Sequence, residues 1–599
     1  MTLIRDGVSS FLNPFDRRTL ALATTLRDQD GGGQAVAITM GPPQAEEALR
    51  GALSVGADRA VHLCDAVLAG ADTLATARAL AAFIAPRGFD LVLCGQYSID
   101  AETGQVGAEV AALLDLPHVT AVTALEMKDG CLMVTRETDA GSDTFELELP
   151  AVITVAERVI KPAPHPRDDM LAQVSHLPVE RVSLQDLGLA AGAVGLAGSP
   201  TVVAGVRPFR IERQPVIRDA SDPAAACDWL VAELNRAGAF APREQTRLEA
   251  LPPAVTSPRT DRQIMVVAEF AGGHPRLVTR ELLAEAVRLA GQVRGTVSAL
   301  AIGSGVEPQA AALAADGAET VYLADSPELG DYSGERYAWA LRQAIESYQP
   351  WAVLAPATSF GRDFTPRAAA QLGLGVTADA VAIEIDADGQ MAPLKPAFGG
   401  LIVASILSRT VPHVATVRPG MLAPFESDHT RRAEIVRMSL NGLPQSRTRL
   451  VDSQHIMDDQ GDLDSADRIV CAGFGLQRPE ELLLVKQLAE ALGAKVGGTR
   501  RVTDAGWLPR QLQIGLTGKP VSPALYVAVA VHGAIYHTVG ITRAGTVVAM
   551  NNDPTAPIFQ HADYGLVGDY RALVPALVDT LKRAGVTSAL VPASRTIAA

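Results

Sequence analysis

The sequence predicts an α/β protein of three domains: two tandem, related parallel-sheet α/β domains and a C-terminal doubly wound one. Its 599 residues, at roughly 150 per domain, provide for three or four globular units. Short β-branched runs alternate with Ala- and Leu-rich stretches along the chain, which is the pattern of βαβ units on parallel sheets. The same series of motifs then appears twice, so the first two domains read as diverged copies of one unit.

In the first copy, Ala35 to Met40 reads as a strand followed by a helix after Pro42. Val61 to Cys64 is a strand before a helix over Thr73 to Ile84, and Leu91 to Cys94 a strand before a helix over Gln105 to Leu116. Gly56-Ala57-Asp58 returns as Gly317-Ala318-Glu319, and Leu91-Val92-Leu93-Cys94-Gly95 as Ala352-Val353-Leu354-Ala355-Pro356. Ala111-Ala112-Leu113-Leu114-Asp115-Leu116 returns as Ala369-Ala370-Gln371-Leu372-Gly373-Leu374. Phe240 to Arg262 is rich in Pro, Arg, Glu and Thr with little periodicity and reads as a linker or surface arm; Glu426 to Asp464 is a second polar separator. The expected division is therefore a first domain at 1–240 with a C-terminal arm, a linker at 241–262, a second domain with hinge at 263–464, and a third domain at 465–599.

The third domain is the most legible. Arg468 to Ala472 is a strand, Gly473-Phe474-Gly475 a turn, and Pro479 to Leu492 a helix opened by Pro and closed by Gly493. Lys495 to Gly498, Ala524 to Val531 and Thr546 to Met550 are further strands, and a last helix follows Asp569. If these strands are parallel, Gly473-Phe474-Gly475, Thr499-Arg500, His532-Gly533-Ala534 and Asn551-Asn552-Asp553-Pro554 all leave their carboxyl ends, where open α/β sheets bind ligands.

Composition narrows the function classes. With 52 Lys+Arg against 67 Asp+Glu the net charge is −15, which argues against nucleic acid or an anionic membrane as the main partner. No stretch approaches the ~20 apolar residues of a bilayer span. Met1 to Arg18 intersperses Arg5, Asp6, Asp16, Arg17 and Arg18 with apolar residues and has no secretory h-region, so a cytoplasmic location is expected. Cys64, Cys94, Cys131, Cys227 and Cys471 are scattered and never form Cys-x-x-Cys, so reduced thiols are expected and no metal site.

Small, polar and cationic residues at the third domain's strand ends suit a phosphate-bearing ligand, because glycines allow close backbone approach and Arg500 supplies charge. Gly473-Phe474-Gly475 lacks the third Gly of the dinucleotide fingerprint and by itself reads as a strand-end turn; Thr517-Gly518-Lys519 lacks the upstream Gly of a Walker loop. His537, one helical turn beyond Gly533, reads by itself as a satisfied core histidine. In the first domain, Ser98 to Gly107 leads into a helix and could offer amides to a phosphate. Alternatively, Asp100 or Thr103 could simply cap that helix.

Six motifs in order, Val496-Gly497-Gly498-Thr499-Arg500, Asp504-Ala505-Gly506-Trp507, Gln513-Ile514-Gly515-Leu516-Thr517-Gly518-Lys519, Gly533-Ala534-Ile535-Tyr536-His537, Asn551 to Phe559 and Ala562 to Asp569, closely resemble the FAD domain of the electron transfer flavoprotein α subunit. Ile264 to Gly420, with Leu354 to Gly361 and Ala415-Thr416-Val417-Arg418-Pro419-Gly420, resembles the other half of that subunit. Leu12-Asn13-Pro14-Phe15-Asp16, Gly56-Ala57-Asp58-Arg59 and Gly95 to Gly107 resemble the β subunit, so the whole chain is similar to a β-to-α fusion.

The resemblance implies an electron carrier rather than a substrate-converting enzyme, with FAD bound in the third domain above a base formed by the first two. Electrons would come from a flavin dehydrogenase and pass to a redox acceptor such as a membrane quinone oxidoreductase. It implies FAD contacts at Thr499, Arg500, Leu516, Thr517, Gly518, His532, Gly533, Ala534, Ile535, Tyr536, His537, Asn551 and Asp569. Arg500, and His537 near the pyrimidine edge, are expected to stabilise the reduced ring by charge. In the first domain it implies a nucleotide, AMP or a second FAD, at Asn13, Ser98, Asp100, Thr103, Gln105 and Val106, the second FAD belonging to a bifurcating, NADH-oxidising type. A nucleotide-binding regulatory protein without flavin chemistry is the alternative outside redox biology. Against the family pattern, Phe474 stands where Arg is usual, Leu516 and Tyr536 where Gln is usual, and His532 where Ser is usual. Family members also open with a Val-rich strand well ahead of the Asn-Pro-Phe motif, which here lies close to Met1. Lys161 to Leu171 occupies the place of the family's dehydrogenase-docking loop.

Overall fold

The computed structural model describes residues 10–128, 130–208, 213–240, 248–256, 258–398, 402–455, 463, 466–515, 518–519 and 521–586. They fall into two compact units. One is drawn from Met1–Pro208, Ala250–Phe398 and Ile402–His455, the other from Phe209–Glu249, Gly399–Leu401 and Ile456–Ala599.

The first unit contains both copies. The second copy is built on a seven-stranded, wholly parallel sheet in the order Val376–Ala380, His413–Val417, Ala352–Pro356, Gln263–Ala268, Thr296–Gly303, Thr320–Asp325, Glu434–Arg437. Strand Gln263–Ala268 is central: Ile264 and Val266 enter one hydrophobic core, and Met265 and Val267 enter the other. Burial on both faces is what a continuous Ile/Val/Met run in a parallel sheet requires.

The repeated motifs adopt repeated conformations. Gly56 and Gly317 have φ of +123° and +119°, a region open to glycine at little cost. Asp115 and Gly373 each end their helix in the left-handed region, with C-cap amides returning to Ala111 and Ala369. In the first copy, Val36–Met40, Arg59–Leu63 and Val179–Val182 pair in parallel. Leu91–Gly95 pairs instead with Ala151–Val155, in a separate mixed sheet that continues parallel to His118–Lys128 and then antiparallel through Cys131–Glu137 and Gly141–Leu147. Among the described residues, no strand joins Val36–Met40 to Leu91–Gly95 as Gln263–Ala268 joins Thr296–Gly303 to Ala352–Pro356. Every residue of those two first-copy strands is accordingly half-buried, whereas Ala352–Pro356 is buried throughout.

The copies exchange strands. Thr201–Pro208 pairs antiparallel with Ile402–Ser408 on a sheet of the second copy, and Thr448–His455 pairs antiparallel with Gly141–Leu147 on the sheet of the first. The polar separator at 426–464 is thus not only a hinge, because it supplies Glu434–Arg437 and Thr448–His455 to two sheets. Long-range pairing, which composition does not reveal, orders it.

In the second unit six strands lie parallel in the order Val216–Asp219, Tyr564–Val567, Thr546–Asn551, Leu525–Val529, Arg468–Ala472, Lys495–Gly498. The expected first-domain boundary at 240 differs from this partition. Val216–Asp219 joins this sheet, and helix Pro223–Arg236 buries Cys227, Leu230, Val231 and Leu234 in its core beside helix Tyr570–Arg583.

Candidate functional site

Because all six strands of the second unit run the same way, the four loops singled out from the sequence leave one end of the sheet. Each loop is held by close backbone packing. A Cβ at Gly473 would lie 1.9 Å from the carbonyl oxygen of Ala530, and one at Gly533, where φ is +88°, 2.2 Å from the Ile558 nitrogen. Those glycines serve the approach of one protein loop to another.

Thr499 precedes the short helix Arg500–Asp504, its amide on the Ala472 carbonyl. Its Oγ1 is buried and, among the described residues, makes no hydrogen bond. Arg500 is about a third exposed and its Nε lies 3.2 Å from Asp504 Oδ2. Gln513, which sequence reasoning did not single out, is buried; its Oε1 accepts from Thr503 Oγ1 at 2.8 Å and Arg510 Nη1 at 2.6 Å. It ties the loop after Arg510 to the helix carrying Arg500, and Ile514 N donates to the Gly498 carbonyl beside it. Its signal in the sequence is only a Gln beside Gly-rich residues.

His532 and Ala534 are exposed and Gly533 is buried between them; the His532 carbonyl accepts from Ile558 N. Tyr536 is 58% exposed. Ile535 takes part through backbone placement in the helix Ile535–Thr538, Gly518 N donates to the Gly515 carbonyl, and Leu516 and Thr517 lie outside the described residues. Asn551 joins two loops, donating through Nδ2 to the Val531 carbonyl and accepting at Oδ1 from Asp553 N. Asp569 caps the last helix by accepting from Arg571 N at 2.9 Å.

His537 corrects one expectation. Its ring is buried, Nδ1 lies 3.0 Å from the Ile514 carbonyl and Nε2 2.8 Å from the Tyr526 hydroxyl. The carbonyl can only accept, so Nδ1 carries the proton and Nε2 accepts from Tyr526. Burial pushes the imidazole down to about 4. A neutral ring with both nitrogens engaged supplies no cation to a flavin; the residue is the satisfied core histidine that its position alone suggested.

In the first copy, the side chains expected around a nucleotide are turned to several tasks. Asn13 Nδ2 donates to Asp16 Oδ2 and to the Tyr97 carbonyl, both at 2.8 Å, while its Oδ1 is buried without a partner among the described residues. Gln105 is 2% exposed, its Oε1 accepting from Thr73 Oγ1 at 3.2 Å. Asp100 accepts from Ala101 N, Ser98 is exposed, Thr103 lies half-buried between them and the helix, and Val106 opens helix Val106–Leu114 without a side-chain cap. The capping alternative is therefore not realised. Tyr97 covers this loop: a Cβ at Gly104 would lie 2.8 Å from its ring, which meets Phe15 edge-on at 5.7 Å. Lys395 of the second copy reaches the same loop with Nζ 3.4 Å from the Glu102 carbonyl, and burial lowers its ammonium to about 8.

The docking-loop candidate 161–171 contains an exposed Arg167–Asp169 ion pair, and Arg17 donates to the Ala163 carbonyl inside it. None of the five cysteines is in a disulfide, and among the described residues no group of acidic, His or Cys side chains could hold a metal. No described helix is long and apolar enough to cross a membrane.

Comparison with known proteins matches residues 1–186 and 264–442 to the electron transfer flavoprotein domain, and residues 462–542 to the electron transfer flavoprotein FAD-binding domain. An electron transfer flavoprotein subunit alpha of Thermoanaerobacterium thermosaccharolyticum is 38% identical over 324 residues, 54% of this chain and 98% of its own. A protein FixB of Clostridium saccharobutylicum is 35% identical over 322 residues, 53% of this chain and 96% of its own. An acryloyl-CoA reductase electron transfer subunit beta of Anaerotignum propionicum is 34% identical over 351 residues, 54% of this chain and 96% of its own.

Proposed function

The chain belongs to the electron transfer flavoprotein family, and from that premise we propose that it joins the family's two subunits in one polypeptide and carries electrons through one FAD in its third domain. FAD is the family's cofactor, and it supplies reversible uptake of electrons at its isoalloxazine ring. The observation that carries the reading is the parallel six-stranded sheet, whose carboxyl ends gather Thr499, Arg500, His532 to Tyr536, and Asn551 on loops fixed by Gln513 and Asn551. The residues fit the group: a buried hydroxyl at Thr499 without a partner among the described residues and a guanidinium about a third exposed at Arg500 suit phosphate or ring oxygens.

In this reading Arg500 is the cation for the ring and Thr499 a hydrogen-bond donor. His537 holds the Ile514 loop in place, and Asn551 and Asp569 shape the far loops. Fusion is favoured by the strand exchange, since 201–208 and 448–455 each complete a sheet of the other copy. Donor and acceptor are a flavin dehydrogenase and a redox partner.

The first domain holds at most one nucleotide, AMP or FAD. The engagement of Asn13 and Gln105 with protein atoms favours a structural first domain over a bifurcating one. The test is mass spectrometry of ligands released from the full chain. One FAD per chain, alone or with AMP, supports the carrier; two FAD support bifurcation; no flavin after incubation with excess FAD overturns the reading.

A further inference from the structure

Two adjacent cations stand at the carboxyl end of strand Lys495–Gly498, and they differ in their surroundings. Arg500 already holds Asp504. Arg501 is exposed, and among the described residues no carboxylate lies within ion-pair distance of it. Its guanidinium carbon instead sits 4.2 Å from the ring centroid of Phe474, and Phe474 stacks on Trp507 with centroids 5.0 Å apart and planes 22° from parallel.

The platform is fixed rather than incidental. Phe474 lies on the turn leaving strand Arg468–Ala472, the sheet neighbour of Lys495–Gly498, with Ala472 in register with Gly498. Gly473 N donates to the Val529 carbonyl and Gly475 N to the Ala530 carbonyl, so both sides of Phe474 are pinned. A guanidinium laid on an aromatic face keeps its N–H groups in its own plane, where oxyanions bind.

We propose that Arg501, held on the Phe474–Trp507 stack, is a second cation of the site, placed for the anionic charge of bound FAD. This rests on the reading of the third domain as the flavin domain. Arg501, with no counter-ion among the described residues, meets an incoming anion undivided, whereas Arg500 shares its charge with Asp504. The charge is that of the diphosphate, or of the isoalloxazine once reduced, and the two are separable by experiment.

The full-length chain is titrated with FAD at several salt concentrations, and the midpoint potential of the bound flavin is measured. If the diphosphate is the anion, R501A weakens oxidised FAD binding about tenfold, a typical loss for one charge-assisted contact, and flattens the salt dependence. If it is the reduced ring, affinity holds and the potential falls. A cation grown from position 474 reaches the same space, so F474R combined with R501A restores the lost property. Unchanged affinity, salt dependence and potential in R501A overturn the proposal, as does a loss that the double variant does not restore. A wild-type chain that takes up no FAD fails the parent reading instead.

Discussion

Asp363 of the second copy and His118 of the first face one another at 3.2 Å, Oδ1 to Nε2, with both side chains buried. The carboxylate is served elsewhere as well: Thr120 and Tyr332 hydroxyls donate to it at 2.7 and 2.6 Å, and Arg136 Nη1 lies 3.5 Å away. Arg367 Nη1 approaches His118 Nδ1 at 3.1 Å. Two homologous halves therefore meet through one saturated anion.

Burial alone would raise the Asp363 carboxyl, but His118 and Arg136 hold it far below the usual carboxylate range. Its contribution to stability is complete above the ordinary carboxylate pKa of about 4 and is lost as pH falls below that value. Asp363→Asn leaves Arg136 without this partner and is expected to destabilise the first unit by about 3–5 kcal/mol at neutral pH. Denaturant midpoints from pH 7 to pH 3 check it; a variant as stable as the parent at pH 7 would refute it.

His537 has the opposite charge type and the same sign of pH dependence. Burial holds the folded imidazole down at about 4, against about 6.5 in the unfolded chain. The unfolded chain binds the extra proton between those values, so stability falls by up to about 3 kcal/mol as pH drops from 6.5 to 4. Tyr526→Phe removes the donor to Nε2 and is expected to cost about 1–3 kcal/mol. Histidine NMR titration in the intact protein checks the neutral ring: a signal from His537 titrating near 6.5 would show that it is solvated.

Arg500→Ala should lower the midpoint potential of the bound flavin, because a fixed cation favours the charged, reduced ring. Asp504→Asn should raise it, because it frees Arg500 from its counter-charge. Both side chains are more than a third exposed or close to it, so solvent screening keeps each effect on the order of 1 kcal/mol. Spectroelectrochemical titration reads both shifts, and shifts of equal sign would exclude the coupling.

A fragment beginning at residue 465 lacks strand Val216–Asp219 and helix Pro223–Arg236. It therefore loses the cover over Tyr564–Val567 and the buried Leu230, Val231 and Leu234, each worth about 1.5–3 kcal/mol of burial. It should melt well below the same fragment supplied with residues 209–249 in trans. Equal melting temperatures would mean that the segment is dispensable.

The parts of this architecture set by neighbouring residues were legible in the sequence. Helix Leu482–Leu492 ends at Gly493 with φ +59°, and the twin motifs at Gly56 and Gly317 adopt twin conformations. Parallel strands in the third domain placed the four loops at one end. What pairing across hundreds of residues decides was not legible: Thr201–Pro208 and Thr448–His455 carry no mark of the sheets they join, and Val216–Asp219 looks like part of an arm. Within the candidate site, the motifs pointed to Arg500 and Asn551, which the fold sets on loops at one end of the sheet. Arg501, Gln513 and the Phe474–Trp507 stack were missed, because their roles depend on which side chains the fold brings face to face.

The exchanged strands also set a timetable for synthesis. The edge of Gly141–Leu147 is completed by Thr448–His455, a segment that leaves the ribosome roughly 300 residues later, some 15–60 s at about 5–20 residues per second. Throughout that interval the nascent first copy presents an open β edge to its surroundings, so the yield of folded protein depends on how well that edge is shielded until its own partner is translated.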